Sequence, residues 1–164
     1  MSNANLLVLA GGFGTRLRSA VSNVPKALAP VVGRPFLQYL LDVWLGQGLT
    51  QLTFLLHHQA DFIEAFLEQQ KASGQLAECQ VRISSEPQPL GTGGAVAYAV
   101  RQLGLTGPFL VTNADTWLGT GIAQVSAVKM PAIGIVHVGN SERYGGVQVR
   151  EDRIVSFEEK QDST

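Results

Sequence analysis

Apolar positions along the chain fall into two alternating patterns. Leu6 to Val8, Leu9 and Ala10 form an uninterrupted apolar run closed by Gly11 and Gly12. The runs at 52–56, 81–84, 109–112 and 132–138 are likewise short, apolar or β-branched, and bounded by polar, Gly or Pro positions. A strand with one wet face alternates between apolar and polar residues, so unbroken runs predict strands covered on both faces, as in a parallel sheet. Between these runs the period lengthens. Phe36, Leu37, Leu40, Leu41, Trp44 and Leu45 recur at three- and four-residue spacing and predict a helix that Gly48 ends. Asp61 followed by Glu64 has the form of a capping box, opening a second helix with the stripe Phe62, Ile63, Phe66 and Leu67. A third helix is predicted from near Gly93 through Val96, Ala97, Val100 and Leu103, its small residues suited to close packing on a sheet.

Strands alternating with helices of this length predict βαβ units with right-handed crossovers, hence a three-layer α/β domain. In such sheets ligands bind beyond the carboxyl ends of the strands, where residues 11–16 and 113–115 fall. Two polar segments are therefore expected to converge on one crevice.

Composition narrows the ligand. The chain has 164 residues, 45% hydrophobic and 15% charged, with 12 Lys and Arg against 13 Asp and Glu. A domain of this size buries enough apolar surface to fold without disulfide or structural metal, and the single Cys79 has no internal partner to bridge. A net charge of −1 without a basic block, and aromatic residues at 7%, argue against a nucleic-acid partner. No window approaches the roughly 18 consecutive apolar residues of a membrane span, and no basic-then-apolar signal pattern opens the chain, so a cytoplasmic setting and no membrane partner are expected. Residues 1–4 read as a leader or expression scar, and 5–164 as one domain.

The densest chemistry lies in Leu9-Ala10-Gly11-Gly12-Phe13-Gly14-Thr15-Arg16-Leu17, a glycine-rich turn directly after a buried strand. Such a turn lets backbone N–H groups approach an anion closely. It is neither the dinucleotide fingerprint, because Leu17 stands where a third glycine is required, nor a P-loop, because the Lys-Ser/Thr pair is missing. Arg16 is a bidentate phosphate donor, and Lys26, after Pro25, is a point charge suited to a second phosphate. His57 and His58 have no ligand partner at metal spacing and read as loop residues whose side chains point to opposite faces. Cys79 reads as a packed or surface thiol.

These residues resemble the sugar-1-phosphate nucleotidyltransferases, whose opening motif is similar to L-A-G-G-x-G-T-R-L followed by P-K. The resemblance continues at Glu86-Pro87-Gln88-Pro89-Leu90-Gly91-Thr92-Gly93-Gly94, at Asn113-Ala114-Asp115-Thr116, at Arg143-Tyr144-Gly145-Gly146-Val147 and at Phe157-Glu158-Glu159-Lys160. Five motifs in order are far more specific than one. The resemblance implies a three-layer αβα Rossmann-like nucleotidyltransferase fold with a mostly parallel sheet. It implies transfer of a nucleoside monophosphate from an NTP to a sugar 1-phosphate, giving an NDP-sugar and pyrophosphate.

Residue by residue, the resemblance implies that Leu9, Gly11, Gly12, Gly14 and Thr15 wrap the nucleotide. Arg16 would grip the departing phosphates, Lys26 would sit by the α-phosphate, and Asp115 would hold Mg²⁺ with phosphate oxygens and water completing the shell. Glu86, Pro89 and Gly91 would read the base; Asn113, Gly146 and Glu159 would bind the sugar, with Lys160 on its phosphate. No general base is needed, because the attacking phosphate is already ionised. The GTRLRS form, PLGTGG and the RYG segment look most like D-glycero-α-D-manno-heptose-1-phosphate guanylyltransferases, with uridylyltransferases and mannose-1-phosphate guanylyltransferases as alternatives. The family's C-terminal segment, with an N-x-G-[I/V]-Y strand and a second metal-binding Asp, is not found in residues 5–164. This leaves a one-carboxylate metal site, a sheet edge open to homodimerisation, and the alternative of a truncated, non-catalytic nucleotide-binding domain. Retention of Arg16, Lys26, Asp115 and Lys160 favours the enzyme.

Overall fold

The computed structural model describes residues 4–14, 24–139 and 145–158. The chain divides into two units, Met1–Met130 and Pro131–Thr164. The first contains, in chain order, β1 (Asn5–Leu9), a 3₁₀ turn (Lys26–Leu28), β2 (Pro30–Val31), β3 (Arg34–Pro35), α1 (Phe36–Gly46), β4 (Gln51–Leu56), α2 (Ala60–Ala72), β5 (Gln80–Ser85), α3 (Gly91–Gln102), β6 (Phe109–Asn113) and α4 (Ile122–Ala127). Four of the five predicted apolar runs are therefore strands. They form one parallel sheet in the order β5-β4-β1-β6.

Alternation along these strands builds the layers. Leu6, Val8, Leu52, Phe54 and Leu56 face one way and pack with Leu37, Leu40, Leu41 and Trp44 of α1 and Ile63, Phe66 and Leu67 of α2. Leu7 and Leu55 face the other way and meet Ala95 and Ala99 of α3. Small residues on α3 bring that helix close to the sheet, while the larger α1–α2 face carries most of the burial, each fully buried Leu or Phe stabilising by roughly 1.5–3 kcal/mol. The fold is thus the expected αβα sandwich. Thr53, fully buried on the α3 side, donates its hydroxyl to Asn5 Oδ1 at 3.0 Å, so its burial leaves that hydroxyl satisfied. Among the described residues no helix is long and apolar enough to cross a membrane.

The helix ends show which local signals acted. Gly48 takes φ +81°, with its N–H on Leu45 O at 2.9 Å and the Leu49 N–H on Trp44 O at 3.1 Å. That is a Schellman stop, sealed by contact between Trp44 and Leu49 within the core. The capping box at Asp61 and Glu64 does not form. Gln59, in the left-handed region, is the N-cap without a side-chain bond, so Asp61 lies inside the first turn, where its charge faces the positive end of the helix dipole. Phe62 leaves the expected stripe and is exposed, because the buried arc runs through Ile63, Phe66, Leu67 and Gln70. The third helix starts at Gly91, two positions before the expected Gly93.

In the second unit the run at 132–138 is not a strand. A strand needs a ladder partner, and none pairs with these residues among those described; Ile133, Ile135, Val136 and Val138 are exposed. The unit's regular structure is an antiparallel hairpin of β7 (Gly146–Arg150) and β8 (Arg153–Glu158), with a register irregularity at Gln148 and Val149. In the first unit, β6 forms an edge of the described sheet, with Val111 exposed.

The hairpin joining β2 to β3 turns at Val32 and Gly33, both at positive φ, as a type I′ turn requires. A β-branched residue pays a steric cost there, and Val32 is 93% exposed, so no packing offsets it. Val32→Asn should stabilise the protein by about 1 kcal/mol, read as a higher urea midpoint at unchanged slope.

Candidate functional site

From β1 the chain crosses to β4 and then β5 on one side, and α3 carries it back to β6 on the other side of β1. In open parallel sheets ligands bind outside the carboxyl ends of the strands at such a reversal, which here falls between β1 and β6. The segments after both strands start from neighbouring points: Leu9 and Asn113 are register partners, and Ala114 N donates to Leu9 O at 3.0 Å. On the opposite side, Ala10 N donates to Leu55 O at 3.0 Å and His58 N to Gly11 O at 3.4 Å. The glycine turn is held between β4 and β6 at its root.

Gly14 takes φ +59°, and a Cβ added there would lie 3.6 Å from Lys26 Cβ. The turn therefore comes back against Lys26, which opens the 3₁₀ turn after Pro25 and is anchored by the buried Ala27 beside it. Lys26 Nζ donates to Asp115 Oδ2 at 2.7 Å, and Thr116 Oγ1 donates to Asp115 Oδ1 at 3.3 Å. The two charged side chains are 39% and 38% exposed, so the ion pair lies in high dielectric and contributes at most about 1 kcal/mol. Each charge is free to exchange its partner for a stronger one, Lys26 for a phosphate and Asp115 for a hard cation. Among the described residues no group of three or more His, Cys, Asp or Glu gathers to hold a metal. A lone carboxylate suits a divalent ion that draws its other ligands from phosphate oxygens and water.

The 86–91 segment follows β5. Glu86 N donates to Leu56 O at 2.9 Å, and its own carboxylate Oε2 accepts from Leu90 N at 2.8 Å, closing the turn ahead of α3. Glu86 thus has a local structural task, with Pro89 exposed on the turn and Gly91 opening the helix. His57 Nδ1 lies 3.1 Å from Glu86 O.

His57 and His58 are loop residues, as read, but their side chains do not point to opposite faces. They follow the end of β4, where strand alternation no longer applies, and both rings meet Phe13: His57 edge-on at 5.8 Å and His58 tilted at 5.0 Å. An exposed aromatic residue inside a glycine turn was the available signal for this cluster. Burial, followed by the neighbouring Glu78, pushes the Cys79 thiol up, in keeping with an unreactive packed side chain.

Of the candidate residues, Leu9, Gly11, Gly12, Gly14, Lys26, Asn113 and Asp115 stand at the carboxyl ends of β1 and β6, and Glu86, Pro89 and Gly91 at that of β5. Gly146 belongs to the second unit, where an added Cβ would lie 3.2 Å from Glu158 Oε2. Thr15, Arg16, Glu159 and Lys160 lie outside the described residues.

A parallel αβα sheet with a glycine turn, a lysine and an aspartate at its reversal point defines a nucleotide-binding class, and residues 5–163 match the nucleotidyl transferase family. The chain belongs to that family, which is one of enzymes. Among its relatives, a D-glycero-α-D-manno-heptose 1-phosphate guanylyltransferase of Campylobacter jejuni is 28% identical over 94% of this chain and 67% of its own length. The enzyme of the same name from Aneurinibacillus thermoaerophilus is 30% identical over 94% and 66%. The crystal structure of HddC from Yersinia pseudotuberculosis complexed with GMP-PN superposes with a TM-score of 0.81 at 29% identity, covering 96% of this chain and 69% of that one. The chain therefore spans about two thirds of the length of these relatives.

The root of the glycine turn is tight at Gly11 and open at Gly12. A Cβ at Gly11 would lie 3.0 Å from His57 N, 3.1 Å from His57 Cβ and 3.2 Å from Leu56 C, whereas at Gly12 it would meet nothing within 4 Å. Gly11→Ala should destabilise by about 1–3 kcal/mol through overpacking against backbone, and Gly12→Ala by no more than about 0.5 kcal/mol, both measured by urea denaturation.

Proposed function

We propose that this chain carries out nucleotidyl transfer from an NTP to a sugar 1-phosphate, with GTP and D-glycero-α-D-manno-heptose 1-phosphate as the pair. The observation that carries the reading is the convergence of the glycine turn, Lys26 and Asp115 at the reversal point of the sheet. The names of the Campylobacter and Aneurinibacillus relatives, and the guanine nucleotide in the Yersinia structure, support the choice of base and sugar.

In this reaction an ionised oxygen of the sugar phosphate forms a bond to the α-phosphorus, and the bond from that phosphorus to the bridging oxygen breaks, releasing pyrophosphate. The nucleophile needs no base, so catalysis is positioning and charge neutralisation. Backbone N–H groups of the turn at Gly11, Gly12 and Gly14, bordered by Leu9 and Thr15, cradle the triphosphate, and Arg16 grips its outer phosphates. Lys26 leaves Asp115 for the α-phosphate, where it offsets charge as the pentacoordinate state forms. Asp115 would hold Mg²⁺, which would supply further charge neutralisation on the phosphates. Glu86, Pro89 and Gly91 present the turn that meets the base, and Asn113 lies toward the sugar phosphate.

Pyrophosphate release with Mg²⁺, measured across GTP, UTP, dTTP, CTP and ATP with a panel of sugar 1-phosphates, should be greatest for GTP with the manno-heptose. Lys26→Ala and Asp115→Asn should each lower kcat/KM by about 10²-fold or more without changing the circular dichroism spectrum. Preference for UTP would reassign the base, and release with no pair would contradict the reaction.

A further inference from the structure

We infer that His57 is a positioning residue that sets the distance between the phosphate-binding turn and the turn at 86–91; the inference rests on the nucleotide-binding reading above. His57 touches both segments. Its backbone N and Cβ lie close beside Gly11, where an added Cβ would sit 3.0 and 3.1 Å from them, and its ring stands edge-on to Phe13 in the same turn. On its other side, Nδ1 lies 3.1 Å from Glu86 O. A carbonyl oxygen only accepts, so Nδ1 carries the hydrogen and donates.

Glu86 is the pivot of its turn. Its N–H is on Leu56 O, its carbonyl is on His57 and its carboxylate takes the Leu90 N–H, so three bonds orient the backbone that leads into Gly91. Two of the three lie within the sheet or within the turn itself. The His57 bond alone joins the turn to a side chain that is also wedged against the glycine turn. An NTP with its phosphates on the glycine turn and its base on the 86–91 turn must span both, so the fit depends on their separation. Loss of the tether loosens the base end and leaves the phosphate end as it was.

The test compares GTP with tripolyphosphate, which has the phosphates without the base, in equilibrium titrations of the full chain as wild type, His57→Ala and His57→Asn. Asn presents an amide N–H near the position of Nδ1–H. His57→Ala should weaken GTP by about tenfold while leaving tripolyphosphate within about twofold, and should speed hydrogen exchange at the Leu90 amide by about tenfold. His57→Asn should restore both. A purely structural histidine would lower both affinities together; that result, unchanged GTP affinity, or failure of Asn to restore it overturns the inference. If His57→Ala does not fold, His57→Gln replaces it with the same expectation, since its amide sits one bond too far out. Wild-type protein that binds no GTP would refute the nucleotide reading instead, and Leu90 exchange in the ligand-free variants would still decide whether His57 orders the turn.

Discussion

Parallel pairing of β1 with β4 on one side and β6 on the other is the constraint on which the rest of the first unit depends. Right-handed crossovers through α1 and α2 carry the chain away from β1 in one direction, and α3 must return it to the opposite flank. With all four strands pointing the same way, the segments leaving β1 and β6 emerge side by side, tied by the Ala114 to Leu9 hydrogen bond. The glycine turn and Asp115 are therefore brought together by topology and not by any attraction between them. The buried layer beneath, with Leu6, Val8, Phe54 and Leu56 fixed against α1 and α2, keeps that geometry rigid.

On this platform the charges are kept available. Lys26 and Asp115 satisfy one another at 2.7 Å, yet both remain more than a third exposed, so separating them costs little compared with what a triphosphate and its cation offer in return. A fully buried pair would have been costly to break. In the proposed reaction the weak pair would keep an isolated carboxylate from repelling incoming phosphate while leaving the lysine in reach. His57 supplies the complementary element, a tether between two backbone segments.

Much of this was legible in the sequence because it depends on local pattern. Continuous apolar runs mark strands covered on both faces, and four of them are the sheet; Gly48 ends α1 at the position its spacing from the stripe requires. The glycine turn and Asp115 fall at carboxyl strand ends, as their place after apolar runs implies. What failed depended on partners or on a shift of two residues. The run at 132–138 has the composition of a strand, but composition does not supply a neighbour. Asp61 matches a capping box by spacing, but α2 begins two residues earlier, with Gln59 as its N-cap, and places Asp61 inside the helix. The Phe13, His57 and His58 cluster joins two loops distant in sequence, and strand alternation misled once the strand had ended. Arg16, Thr15, Glu159 and Lys160 remain assigned by resemblance, lying outside the described residues.

The exchange of partners by Lys26 and Asp115 is most directly tested by GTP titrations with and without Mg²⁺ on wild-type protein and Asp115→Asn. Removing the carboxylate frees Lys26 for phosphate and removes the cation's protein ligand. Metal-free GTP should then bind the variant at least as tightly as the wild type, and Mg²⁺ should tighten GTP on the wild type by about tenfold or more and give no such gain on the variant. Equal tightening by Mg²⁺ in both proteins would show that Asp115 neither holds the cation nor restrains Lys26.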